Sequence, residues 1–398
     1  MQASRFAATA AALLAVLPFV NCLPTNRTDD QVNAAINAGT FQNPSVLVRP
    51  KFRCWIPDAS INHTRLALDV ADAGRVGMGG VETLGYYLYG AYPGASVPVD
   101  WATYGWGTPA WKEVITTVVH AHKSNGLIMD AALGPNQGAG VPAETDSDGL
   151  LWDLRMATVS VSGSSFNGTV PGWATGTLQA AVFGRVTSSV NTTGPAPGLF
   201  GASPSAYGSY RIQNTLATNS LRDITGQVGQ DGTLALEVDA TNAGNWTLFA
   251  FYLVHSELYE QEPSELLTGP QTTPMNFVQN GSWTVDHFSA LGAQTTVKFW
   301  EQYLLDDEVR ALLADIGNYV WEDSVEIDPT VYWTRYLPQA FRANRGYSIN
   351  KWLPLIHHES SPPSYAAVSG PEPVWYITDK ADAGNKHIGD YRETLDDH

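Results

Sequence analysis

The stretch Asn318–Ile356, NYVWEDSVEIDPTVYWTRYLPQAFRANRGYSINKWLPLI, decides the fold reading. It opens on an aromatic, β-prone run, Tyr319, Val320 and Trp321, then breaks at once into acids. These are Glu322, Asp323 and, two residues on, Glu326. Trp333 to Arg345 reads as a helix, with Gly346 as its stop, and an apolar, proline-bearing run follows. Apolar strand, carboxylates at its end, then helix is how α/β barrels present catalytic acids.

Upstream, the same alternation recurs. Lys51–Pro57 (KFRCWIP) is a short apolar strand followed by Asp58, and Asn62 to Ala73 reads as a helix. Gly77–Tyr89 is a second strand, entered through glycines and carrying Glu82. Pro109–Lys123 is a helix with proline in its first turn, where a missing N–H costs nothing. Leu127–Leu133 is a third strand carrying Asp130, followed by a loop rich in glycine and proline from Gly134 to Pro142. The order β-α-β-α-β with short connections predicts parallel strands and right-handed crossovers. Asp58, Glu82 and Asp130 then sit near the C-terminal strand ends, where a barrel carries its site. Each alone reads equally well as a helix cap or a solvated loop acid.

From residue 150 to 245 the pattern changes to Ser, Thr, Gly and Val in short alternating strands, which predicts an inserted β-sandwich-like module. Trp246–Val254 (WTLFAFYLV) reads as a return to the barrel, and Val285–Gln302 and Asp306–Ile316 as helices. The expected organisation is therefore an α/β fold of TIM type. Residues 1–22 form a leader, 23–149 the first part of the barrel, and 150–245 the insert. Residues 246–356 continue the barrel and 357–398 form a polar tail. Five barrel strands rather than eight predict a partial barrel, or a chain shorter than the fold requires.

With 39 acidic and 22 basic residues the net charge is −17, which argues against nucleic-acid and anionic-membrane partners. A carbohydrate partner fits better, and thirteen Trp and seventeen Tyr supply both core and sugar-stacking surfaces. Arg5 followed by the apolar run Phe6–Val20 predicts a secretory leader, with cleavage near Cys22. Six sequons behind it, at Asn26, Asn62, Asn167, Asn191, Asn245 and Asn280, predict a secreted, extracellular glycoprotein. Cys54 is then unpaired and reads as a small buried hydrophobe.

The runs RPKFRCWIPDASI, AGRVGMGGVETLGYYLYG, GLIMDAALGPNQGAGVP and WEDSVEIDPTVYWTRYLPQAFRANRGYSINKWLPLI resemble the N-terminal catalytic region of glycoside hydrolase family 106, the α-L-rhamnosidases. Large secreted fungal proteins related to that family are the nearest in pattern. The resemblance spans residues 49 to 356 and is most specific at Asp323, Ser324, Glu326, Trp333, Thr334, Arg345, Gly346 and Tyr347. It implies a (β/α)8 barrel, paired carboxylates, inversion at the anomeric centre and a Ca2+ ion near the sugar. The segment GPNQGAGVP departs from the family pattern, and the later barrel strands are missing. Glycoside cleavage needs one carboxyl group as acid and a second as base or nucleophile. Glu326 and Glu82 are the expected catalytic pair, with Asp58, Asp130, Asp323 and Trp333 as substrate-binding residues. Core packing is the competing reading of Trp333. A non-catalytic homologue that binds carbohydrate, or serves an accessory role, is the alternative function. No zinc-ligand spacing, phosphate loop or nucleophile elbow is present in the sequence.

Overall fold

A computed structural model of the chain describes residues 39–85, 101–135, 138–144, 146–163, 165–191, 194–195, 208–209, 212–237, 245–258, 282–322, 329–359 and 374–397. The expected leader, Cys22, Asn26, Asn280, Asp323 and Glu326 lie outside these residues. In chain order the principal strands are β1 (Lys51–Ile56), β2 (Gly80–Gly85), β3 (Ile128–Ala132), β4 (Trp152–Val161), β5 (Ser165–Thr169) and β6 (Thr177–Asn191). They continue with β7 (Ile212–Leu216), β8 (Thr233–Glu237), β9 (Asn245–His255), β10 (Gly317–Trp321) and β11 (Val374–Thr378). The main helices are α1 (His63–Arg75), α2 (Pro109–Ser124), α3 (Asp307–Ile316), α4 (Leu337–Arg345), α5 (Leu353–Glu359) and α6 (Asn385–Asp397). The fold is mixed α/β with several sheets, and the chain divides into two compact units. No helix among the described residues is long and apolar enough to cross a membrane.

The first unit is built on a four-stranded parallel sheet, β1-β2-β3-β10. Its helices form where the sequence supplies both a cap and an apolar stripe. Asn62 caps α1 by accepting from the Arg65 N–H, Thr108 caps α2 through Trp111, and Asp306 caps α3 through Val309. In α2 the buried positions Trp111, Val114, Ile115, Val118, Val119 and His122 repeat at helical spacing. They pack with Ile56, Met129, Ala131, Phe299 and Trp300 in one apolar cluster. Cys54 packs against the same cluster, and burial pushes its thiol up from its ordinary value. Gly80 is required by close approach: a Cβ there would lie 1.7 Å from the Ile128 carbonyl oxygen on β3.

His122 is fully buried in this core. Its Nε2 accepts from the Val81 N–H at 3.0 Å, so Nδ1 carries the proton and donates to the Val118 carbonyl at 2.8 Å. The neutral ring thus joins α2 to β2, and burial holds its pKa below the ordinary imidazole value. As pH falls through about 6.5, the unfolded chain takes up this proton before the folded chain does. Stability tied to His122 is therefore present above about pH 6.5. It declines by at most about 1.4 kcal/mol per pH unit until the folded ring itself titrates. Urea titrations between pH 7 and 5 should show this slope in the wild type, and His122→Gln should flatten it.

The second unit is built on a six-stranded sheet. Its main path is β11-β7-β6-β9-β4, with Arg222–Asp223 pairing onto β6. All pairs are antiparallel except β7 with β11. One face packs on α4, α5 and α6 through Phe249, Phe251, Trp333, Phe341 and Tyr376. The other face packs with Phe183, Trp246 and Leu248 against the two-stranded β5–β8 sheet.

Several expectations change here. Among the described residues the four parallel strands do not close into a barrel. The strand expected next, Trp246–Val254, lies in β9 and pairs with β4 and β6 instead. Its eight consecutive buried residues, Trp246 to Leu253, arise because both faces of its sheet are covered. A central antiparallel strand so covered has the same apolar run as a barrel strand. The segment from 327 onward belongs to the second unit, not to a continued barrel. The expected polar tail supplies β11 and α6, which that unit's core includes through Tyr376, Ile388 and Tyr391.

Candidate functional site

Helices α1, α2 and α3 cover one face of the parallel sheet, the face of Cys54, Ile56, Val81, Met129 and Ala131. Strand alternation sends Lys51 and Arg53 of β1 to the other face. Register brings Arg53 opposite Glu82, Glu82 opposite Asp130, and Asp130 opposite Tyr319. Arg53, Glu82, Asp130 and Tyr319 therefore form one row across the four strands, on the face turned away from α1, α2 and α3.

The contacts along this row are close. Arg53 Nε lies 2.7 Å from Glu82 Oε1, and its guanidinium stands 4.3 Å from the Trp321 ring centroid. Lys51 Nζ donates to Asp130 Oδ2 at 2.5 Å and sits over the Tyr319 ring at 5.4 Å. Asp130 Oδ1 accepts from Asn318 Nδ2 and from the Tyr319 N–H, each at 3.0 Å. Asp130 is thus a buried anchor for β1, β3 and β10, while Tyr319 remains 68% exposed.

The glycine-rich loop after β3 returns to the end of β10. Leu133 donates its N–H to the Trp321 carbonyl at 3.0 Å. Gly138, with φ +88°, lies so near that a Cβ would meet the same carbonyl oxygen at 3.2 Å and the Glu322 Cα at 3.4 Å. This loop and Glu322 therefore adjoin at the C-terminal end of β10.

The expected site residues divide as follows. Glu82 and Asp130 come together on one face as neighbours. Asp58 caps a turn just beyond β1, its Oδ1 accepting from the Ser60 N–H at 2.6 Å. Trp333 belongs to the second unit, fully buried, so a substrate-contact role is corrected to core packing. Arg345 pairs with Glu393 and Asp397 on α6, both at 2.9 Å, and also braces that unit. Catalytic Glu326 and substrate-binding Asp323 lie outside the described residues.

Lys51, Arg53, Tyr319 and Trp321 went unassigned in the sequence. Their signal was the two-residue spacing of Lys51 and Arg53, which places both on one strand face. Among the described residues no group of three acidic, His or Cys side chains converges that could hold the implied Ca2+. Glu82 and Asp130 already face Arg53 and Lys51.

No family model matches the chain, and no curated protein matches it. Among solved structures, a rhamnosidase from Novosphingobium sp. PP1Y is similar in fold, with a TM-score of 0.50 at 14% sequence identity. The likeness covers 92% of this chain, which spans 44% of the length of that rhamnosidase.

Proposed function

We propose that this chain is a secreted, glycoside hydrolase-like protein that acts on α-L-rhamnosidic or related linkages. The observation that carries the proposal is the Arg53–Glu82 pair on the face of the parallel sheet turned away from α1, α2 and α3. A likeness in fold to a rhamnosidase supports it. The pairing with a guanidinium suits Glu82 to the charged role, as base, nucleophile or acceptor from a sugar hydroxyl. The proton donor must come from elsewhere, and Glu326 on the segment after β10 is our choice. Trp321 and Tyr319 offer rings for the apolar face of a sugar.

A second reading is carbohydrate binding without cleavage. Its support is that both described carboxylates of the row are already held by cations. The two readings separate on aryl rhamnosides and rhamnose-containing polysaccharides. Turnover that drops at least about a hundredfold in both Glu82→Gln and Glu326→Gln is the expected result. Glycan binding with no turnover would establish the second reading. Turnover untouched by either change would place the chemistry elsewhere.

A further inference from the structure

We propose that Asn62, Asn167, Asn191 and Asn245 carry N-linked glycans, and that the glycan on Asn62 coexists with the helix cap that this residue makes. Each is the asparagine of an Asn-x-Ser/Thr sequence, and each side chain is exposed. Exposure is particular to three of them, because Ile61 and His63 beside Asn62 are half-buried, as are the neighbours of Asn167, and Trp246 beside Asn245 is buried. In β5 the exposed Asn167 alternates with half-buried Phe166 and Gly168. In β9 the exposed Asn245 precedes eight buried residues. Asn191 ends β6 in a run of five exposed residues.

Asn62 has a double use. Its Oδ1 accepts from the Arg65 N–H at 2.9 Å and caps α1. The modification uses the other atom. The amide nitrogen Nδ2 bonds to the anomeric carbon of a lipid-pyrophosphate-linked oligosaccharide. The bond from that carbon to the pyrophosphate oxygen breaks, lipid pyrophosphate leaves, and the amide gives up one proton. Oδ1 remains a carbonyl oxygen, so the modified side chain still caps the helix.

Asn191 and Asn245 share one end of the six-stranded sheet. Asn245 pairs with Val186 of β6, the strand that ends at Asn191. Val161 at the end of β4 pairs with Trp246, and β5, with Asn167, begins four residues later. This end is therefore the glycan-bearing end. Among the described residues, the opposite end, where Trp152 pairs with His255, holds no sequon asparagine.

The test is secretion of the full chain, with its own N-terminal segment, from a eukaryotic host. Peptide N-glycosidase treatment in heavy-oxygen water and peptide mapping follow. Labelled Asn-to-Asp conversion is expected at all four positions. Thr64→Ala, Thr169→Ala, Thr193→Ala and Thr247→Val should each remove one mobility step. Thr64→Ala should match the melting temperature of the glycosylated wild type, because Asn62 keeps its cap with or without the glycan. Asn62→Gln should lower it. Unmodified asparagines in the secreted protein, or a chain that stays in the cytosol unmodified, would overturn the proposal. A cap lost on glycosylation, read as equal melting of Asn62→Gln and the glycosylated wild type, would overturn its second part.

Discussion

Trp333→Ala will remove about 3–5 kcal/mol from the stability of the second unit, the range typical for deleting a buried large aromatic. The indole is fully buried and shares a cluster with Leu154, Phe249, Phe251, Leu337 and Phe341. Its backbone is fixed by an antiparallel bridge to Trp152. Close by, Asp153 holds the preceding segment, accepting from the N–H groups of Thr330 and Val331 and from the Thr330 hydroxyl. That frame cannot collapse onto the space an alanine leaves, so the cavity term is added to the lost burial. The indole N–H has no acceptor among the described residues. Trp333→Phe should therefore cost much less, since it also removes an unsatisfied buried donor. Urea unfolding of the three proteins checks the order. A loss below about 1 kcal/mol in Trp333→Ala would contradict the core assignment and return Trp333 to the candidate ligand surface.

The sequence was most legible where local rules act alone. The helices read from Asn62, Pro109 and Asp306 form there, capped by Asn62, Thr108 and Asp306, and α2 repeats its apolar stripe without a break. The β-α-β-α-β order gave the parallel strands β1, β2 and β3, and the run Tyr319–Trp321 gave β10. Long-range pairing was illegible. Nothing local in Trp246–Val254 distinguishes a barrel strand from the middle of a covered antiparallel sheet, because burial on both faces erases alternation. The polar tail misled for a related reason. Tyr376 and Tyr391 enter the core of the second unit amid a strongly polar composition. At the candidate site the acids of β2 and β3 were legible by type and position. Their cationic partners were not, because KFRCWI reads as an apolar strand unless each face is counted separately.

Asp130 gives the second large effect, and it separates anchoring from sugar contact. Its two oxygens take three donors: Lys51 Nζ, Asn318 Nδ2 and the Tyr319 N–H. The Lys51 and Asp130 side chains are only 15% and 10% exposed, so neither is well solvated. Asp130→Ala strands an ammonium group, a side-chain amide and a backbone N–H together. Removing one partner of a buried ion pair costs about 3–5 kcal/mol, and the solvent that still reaches Lys51 places the expected loss near the lower end. Asp130→Asn keeps an acceptor for Asn318 and Tyr319 but no charge for Lys51, so its loss should fall between wild type and alanine. Lys51→Met in the Asp130→Ala background should restore part of the loss, since it removes the stranded charge. Urea unfolding of the wild type, both single mutants and the double mutant measures this coupling. If Asp130 served only to bind sugar, Asp130→Asn would unfold like the wild type and lose affinity alone. The three donors already seated on its oxygens argue for the opposite result.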